Sequence, residues 1–289
     1  MGDPRATTTA VLFPGQGSHS DDMRDLVAER RPDLLELARE ACGRDPFEHL
    51  DRGTRYQQPA ILCASLAAWE TVRSERPALL AGHSLGEITA LTAAGALAEA
   101  DAVRLVAVRG RAMEAADGRG EATGMLAVRT DLAIGAAVAA RAGASVANEN
   151  SPRQVVLAGS LAALERAETD LTARGLRAKR LPVSGAFHSP AMAAAERPLR
   201  AELDGIRFQQ PRVPVLSCVT AAPFTDPRAE LVAALTRPVR WVAVLQALER
   251  RGARRFVEAG PGKVLTGLVR RTLDGVEAVA PDAEAASHA

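Results

Sequence analysis

The sequence predicts an α/β protein in which a mainly parallel sheet, covered by helices on both faces, is interrupted by a small ferredoxin-like unit. Three observations carry this. Short apolar runs alternate with longer segments of helical period along most of the chain. Between Met125 and Leu181 the order becomes strand, helix, strand, strand, helix, strand, which is the split βαβ arrangement. The apolar run Ala78 to Ala81 leads straight into Gly82-His83-Ser84-Leu85-Gly86 and a helix pattern of small residues (Ile88, Leu91, Thr92, Ala94), the strand, turn and helix context of a G-x-S-x-G elbow.

Taken in order, Thr9 to Phe13 is a short apolar strand running into Pro14-Gly15-Gln16-Gly17-Ser18. Two glycines around one glutamine let backbone N–H groups approach a ligand; a plain turn with Gln16 in solvent is the other reading. Asp21 to Ala41 is helical with a break at Pro32. Gln58 to Glu75 is a stronger helix, opened by Pro59 near its first turn, with Ile61, Leu62, Ser65, Leu66 and Trp69 on one stripe. After the elbow, Glu99 to Ala116 is a long amphipathic helix whose inward stripe is Ala102, Val106, Arg109 and Met113.

The small unit follows, with strands at Met125–Val128, Ser145–Asn148, Gln154–Ala158 and Arg177–Leu181 and helices at Leu132–Arg141 and Leu161–Arg174. Gly118, Gly120 and Gly124 precede it and Pro182 and Gly185 follow, so residues 123–184 are read as an insert in a body made of 1–122 and 185–289. The cleft between the two is the expected ligand site. The chain returns through Gly185-Ala186-Phe187-His188-Ser189-Pro190 to a helix from Ala191 to Leu203 and a strand over Val213–Ser217. Helices over Glu230–Leu235 and Trp241–Arg250, a strand over Arg255–Glu258 and a last helix opening at Lys263 complete it. The small, polar stretch 281–289 is expected to fray.

Composition narrows the function classes. With 36 basic and 35 acidic side chains spread throughout, there is no electrostatic case for nucleic acid or an anionic membrane. No run approaches eighteen apolar residues, and Met1 to Ala6 lacks the apolar region of a signal peptide. Cys42, Cys63 and Cys218 lie too far apart to form a metal-ligand spacing. A reduced, cytoplasmic protein is expected.

Glycines at Gly82 and Gly86 allow a sharp turn that exposes Ser84 as a nucleophile, with the Leu85 N–H free to receive negative charge. An ordinary turn is the alternative. Arg109 on an apolar stripe either snorkels to solvent or presents a guanidinium fork to an anion, since arginine binds carboxylate bidentately and keeps its charge. Only five histidines could serve Ser84 as base. His288 is in the tail, His49 sits in a charged segment, and the side chain of His83 should point away from that of its neighbour Ser84. His19, after the glycine loop, stays in play. His188 lies where the insert returns to the body, beside Phe187 and Pro190, and is favoured. About 100 residues follow His188, unlike the late histidine of an α/β-hydrolase, and no acid stands out as a third member, so a dyad oriented by a backbone carbonyl fits best.

Eight motifs in order carry a resemblance over nearly the whole chain: Phe13-Pro14-Gly15-Gln16-Gly17-Ser18, Gln58-Pro59-Ala60, Gly82 to Glu87, Val108-Arg109-Gly110-Arg111-Ala112-Met113, Ala147-Asn148-Glu149-Asn150-Ser151-Pro152, Gly185 to Ser189, Pro238-Val239-Arg240-Trp241 and Glu258 to Leu265. The chain resembles the malonyl-CoA:acyl carrier protein transacylases and the related acyltransferases of polyketide synthases. The resemblance implies a hydrolase-like body with a ferredoxin-like insert, Ser84 as nucleophile, His188 as base, and the N–H groups of Gln16 and Leu85 as oxyanion hole. It also implies Arg109 on the malonyl carboxylate, with Phe187, Gln58, His83, Met113 and Asn148 around the acyl group. Phe187 would crowd an α-methyl branch.

No metal or redox cofactor is implied. The expected partners are malonyl-CoA and the phosphopantetheine thiol of an acyl carrier protein, met by a monomer acting in trans in fatty acid or polyketide synthesis. The rival readings are an acyl hydrolase or thioesterase and a catalytically silent carrier-docking subunit. Two departures stand out. His19 and Asp21-Asp22 follow Ser18, and Ala234 replaces a glutamine common in the family: if this position orients His188 through its backbone carbonyl, alanine suffices, and if through its side chain, the base is less well held.

Overall fold

The computed structural model describes residues 8–117, 120–183 and 185–280. Along the chain, β1 (Thr8–Phe13) is followed by α1 (Met23–Arg30), α2 (Pro32–Cys42) and α3 (Thr54–Val72); β2 (Leu79–Gly82) runs into α4 (Gly86–Ala93) and α5 (Glu99–Asp117). Then come β3 (Thr123–Val128), α6 (Leu132–Ala142), β4 (Ser145–Ser151), β5 (Gln154–Ser160), α7 (Leu161–Ala173) and β6 (Ala178–Arg180). The return supplies α8 (Ala193–Asp204), β7 (Val215–Leu216), α9 (Pro227–Ala233), α10 (Trp241–Arg250), β8 (Ala253–Glu258), α11 (Val264–Thr272) and β9 (Glu277–Val279).

The larger sheet has the order β7-β2-β1-β8-β9, and every pairing in it is parallel. Its strands are apolar at both parities because both faces are covered. Val11, Phe13, Leu80, Val215 and Val257 face the core shared with α3, α4 and α5. Ala10, Leu12, Leu79, Ala81, Leu216 and Phe256 face the core under α10 and α11. Helix α4 lies between layers with all eight of its residues buried.

The second sheet, β4-β5-β3-β6, is antiparallel throughout. Here the period of two sorts the side chains cleanly. Leu126, Val128, Val155 and Leu157 pack under α6 and α7, whereas Met125, Val156 and Ala158 join the core of the body. The two sheets are also stitched by main chain: the Val239 N–H donates to the Ala147 carbonyl at 2.8 Å and the Glu149 N–H donates to the Val239 carbonyl at 2.9 Å.

Several boundaries differ from expectation. Helix α3 starts at Thr54, so Pro59 is interior; Arg55-Tyr56-Gln57 show no apolar period, and the start is fixed by the buried Gln58 donating to Thr54 Oγ1 at 2.7 Å. Strand β7 is confined to Val215–Leu216. Strand β9 and the 3₁₀ turn Pro46–Arg52 were not foreseen, and the His49 ring in that turn packs at a tilt against Tyr56 with ring centroids 5.3 Å apart. The stretch 281–289, including His288, lies outside the described residues.

Helix α11 begins without a side-chain cap on its own N-cap residue. Glu258, at the end of β8 and 1% exposed, does that work instead: its carboxylate accepts from the N–H groups of Leu265 (3.0 Å) and Thr266 (2.7 Å) and from the Thr266 hydroxyl (2.8 Å). Replacing Glu258 by alanine leaves these donors buried and unpaired, so chemical denaturation should show a loss of about 3 kcal/mol. An unchanged midpoint would mean that water replaces the carboxylate without cost.

Candidate active site

The elbow forms because two glycines let three backbones converge at the C-terminal ends of β1 and β2, the end of a parallel sheet where ligands bind. A Cβ at Gly82 would lie 1.8 Å from the Gly86 carbonyl carbon, and one at Gly86 would lie 2.1 Å from the Phe13 carbonyl oxygen. Ser84 at the apex has φ 55°, a left-handed conformation uncommon for serine and held by this packing.

Ser84 Oγ is 2.7 Å from His188 Nε2. His188 Nδ1 is in turn 2.7 Å from the Ala234 carbonyl. That carbonyl lies at the C-terminus of α9, where helix carbonyls lack intrahelical partners. A carbonyl can only accept, so Nδ1 carries the proton and the Nε2 lone pair faces the serine hydroxyl. Ala234 therefore orients the imidazole through main chain, and the missing glutamine side chain is no defect. Burial, with the Arg109 cation second, pushes the imidazole down to about 3, so it is neutral and ready to accept a proton.

Arg109 is 3% exposed and turns inward from α5 rather than snorkelling. Its Nη1 donates to Gln58 Oε1 at 2.7 Å and its Nη2 to Ser84 Oγ at 3.1 Å. Gln58, fully buried, is held by Thr54 Oγ1 and by Met113 Sδ at 3.4 Å. Burial lowers the guanidinium to about 10, against the pull of Glu87, and it stays cationic at neutral pH. No carboxylate among the described residues pairs with it. Its neighbours on α5, Arg104 and Arg111, are exposed, as their position on another face predicts.

The backbone N–H groups of Leu85 and Gln16 make no hydrogen bond within the described residues, which leaves them free for a ligand. The Gln16 side chain is diverted to Gln57 Oε1 at 3.0 Å. His83 does not approach the hydroxyl of Ser84: its Nε2 is 3.0 Å from Asn150 Oδ1, and its ring meets Trp241 edge-on at 5.3 Å. Phe187 is buried over Gly185, where a Cβ would lie 2.4 Å from its ring. Asn148 is buried at the parallel bridge to Val239 and makes no side-chain hydrogen bond to the Ser84, His188 and Arg109 set. His19 is exposed and away from these contacts.

Asn150, Trp241 and Gln57 were missed as individual residues because each acts by holding another side chain. Glu87 was read only as the end of the elbow motif, yet it is 1% exposed beside the nucleophile. A carboxylate in an otherwise small and apolar helix pattern was the available signal.

A serine at an elbow, a neutral imidazole aimed at it, two free N–H groups and an unpaired guanidinium together suit acyl transfer through a seryl ester. The family described as "Acyl transferase domain" matches residues 44–287. The malonyl CoA-acyl carrier protein transacylase of Salmonella typhimurium is 39% identical, covering 97% of each chain. Among solved structures, the malonyl-CoA:acyl carrier protein transacylase of Xanthomonas oryzae superposes with a TM-score of 0.88 at 39% identity, covering 95% of this chain and 94% of that one. A malonyl-transacylase solved in complex with its type II PKS acyl-carrier protein gives a TM-score of 0.88 at 34% identity, covering 95% of this chain and 96% of that one.

Proposed function

The chain belongs to the acyl transferase family, and on that premise we propose that it moves a malonyl group from malonyl-CoA to the phosphopantetheine thiol of an acyl carrier protein. The observation that carries the acyl specificity is Arg109, a buried cation with no carboxylate partner among the described residues, whose fork reaches Ser84 Oγ. A dicarboxylic acyl group supplies the missing anion; an uncharged acyl group leaves the cation unanswered.

The cycle follows from the contacts. As Ser84 Oγ attacks the thioester carbonyl, its proton passes to His188 Nε2, and the imidazolium is held by the Ala234 carbonyl through Nδ1–H. Charge on the carbonyl oxygen falls to the N–H groups of Leu85 and Gln16. The C–S bond breaks and the coenzyme A sulfur takes the proton from His188. A carrier thiol then gives its proton to Nε2 and attacks the ester, and the proton returns to Ser84. Gln58, fixed by Thr54, holds one edge of Arg109 so that the rest of the fork receives the malonyl carboxylate, with Met113, Phe187, His83 and Asn148 around it. No step calls for a metal or redox cofactor.

Residues 123–184 are assigned as an inserted subdomain and 1–122 with 185–289 as the body. The enzyme works as a stand-alone monomer in the cytoplasm, in polyketide or fatty acid synthesis. Cys42, Cys63 and Cys218 are all free thiols, which supports a reducing compartment, and no helix among the described residues is long and apolar enough to cross a membrane.

Incubation with malonyl-CoA should add a malonyl group to the intact mass, and a carrier bearing phosphopantetheine should discharge it. Arg109→Ala should lose about 10- to 100-fold more malonyl than acetyl transfer, the worth of a charged hydrogen-bonded contact. Equal losses would refute the carboxylate role, and release of free malonate in place of carrier loading would make the protein a hydrolase.

A further inference from the structure

Glu87 lies in the first turn of α4, three residues after the nucleophile, on a helix whose other residues are small or apolar or threonine. A carboxyl so deeply buried demands partners, because a lone buried charge is strongly unfavourable. One oxygen has one: Oε1 accepts the Cys218 N–H at 2.6 Å. The other, Oε2, is buried and makes no hydrogen bond of ordinary geometry among the described residues, the Ser217 hydroxyl being the polar side chain beside the carboxyl. A purely structural tie to Cys218 leaves that oxygen unexplained.

Arg109 is the complementary case, since both its hydrogen-bond acceptors, Gln58 Oε1 and Ser84 Oγ, are neutral. Glu87 and Arg109 each pull on the other's charged form, and in both burial outweighs that pull. The remaining groups that face Glu87 are the Ser217 hydroxyl and Cys218 thiol beyond β7 and the Glu230 carboxylate on α9, none of them cationic.

We propose that Glu87 is a positioning residue that sets how much of the Arg109 charge a dicarboxylic acyl group can use: its carboxyl is protonated while the malonyl carboxylate is bound, and when ionised it competes for the same cation. This rests on Arg109 receiving the malonyl carboxylate. Burial raises the Glu87 carboxyl to about 8, against the Cys218 N–H and Arg109. At neutral pH the group is therefore mostly neutral and Arg109 is unopposed. Above pH 8 the carboxyl ionises, and a second carboxylate can enter only as Glu87 takes up a proton.

The test is KM for malonyl-CoA and acetyl-CoA between pH 7 and 9. Apparent affinity scales with the protonated fraction, so the wild-type KM for malonyl-CoA should rise about tenfold, while Glu87→Gln stays within about twofold and acetyl-CoA is flat in both proteins. A rise that survives Glu87→Gln, or that acetyl-CoA shares, overturns the proposal. If Glu87→Gln does not fold, calorimetry of Ser84→Ala protein at pH 8.5 in two buffers of different ionisation heat decides. Malonyl-CoA binding should take up between about half and one proton and acetyl-CoA none, and equal uptake overturns the proposal. Failure of Arg109→Ala to separate malonyl from acetyl at pH 7 sinks the carboxylate reading itself. A preserved separation without the pH split sinks only the role of Glu87.

Discussion

Ser84→Ala protein should form no malonyl adduct and should transfer malonyl on the order of 10⁵–10⁶ times more slowly than wild type, the scale of losing the nucleophile in a serine hydrolase. The reason lies in how few alternatives surround it. The hydroxyl is met by His188 Nε2 at 2.7 Å and Arg109 Nη2 at 3.1 Å, so the base and the cation both converge on one oxygen. The buried thiol of Cys218 cannot substitute, because it donates to the Gly82 carbonyl and burial raises it well above the ordinary thiol range. Alanine at φ 55° keeps the same backbone strain as serine, so the variant should keep its denaturation midpoint within about 1 kcal/mol. Intact-mass and transfer measurements check this together, and an adduct surviving the substitution would move the nucleophile elsewhere.

His188→Ala should cost about 10⁴-fold in transfer, since no other imidazole among the described residues is placed to replace it. His83 is engaged by Asn150 and Trp241. In the wild type the same residue fixes the pH response. Its pKa is depressed to about 3 by burial and by Arg109, so the base is competent from neutral pH down toward that value, and the acylation rate should show no acid limb between pH 5 and 8. The stability consequence has the matching sign. An unfolded chain protonates this histidine near pH 6.5 while the folded protein does not, so its contribution is intact above that value and is lost as pH falls toward 3. A rate limb at the ordinary histidine value would mean that water reaches Nε2.

The convergence of Ser84, His188 and Arg109 in the candidate site was legible in the sequence because each residue breaks a local pattern. Ser84 sits between glycines at a strand-to-helix junction, Arg109 interrupts an apolar stripe, and His188 is the histidine favoured over His19 by its place where the insert returns to the body. The antiparallel unit was legible from its change of period. What stayed hidden acts through main chain or through other side chains. The acceptor for His188 is a carbonyl at Ala234, which any residue type would supply. Strand β9 shows one buried residue in three, too short for a period, and Asn148 and Asn150 cannot be told apart by sequence although only Asn150 bonds His83. Glu87 was visible as a charge in the wrong place, and only three-dimensional contacts show that its second oxygen makes no hydrogen bond of ordinary geometry among the described residues.

The main-chain stitching at Val239 has a consequence for engineering. Ala234, which holds the His188 imidazole, and Val239, which pairs with Ala147 and Glu149, belong to one short stretch of chain. A chimaera that exchanges only residues 123–184 with a relative would keep its own stretch against a foreign edge, and any misfit would be passed along to His188. The portable module is therefore discontinuous: residues 234–240 should travel with the exchanged segment, so that the small sheet can be replaced without disturbing the contact to His188.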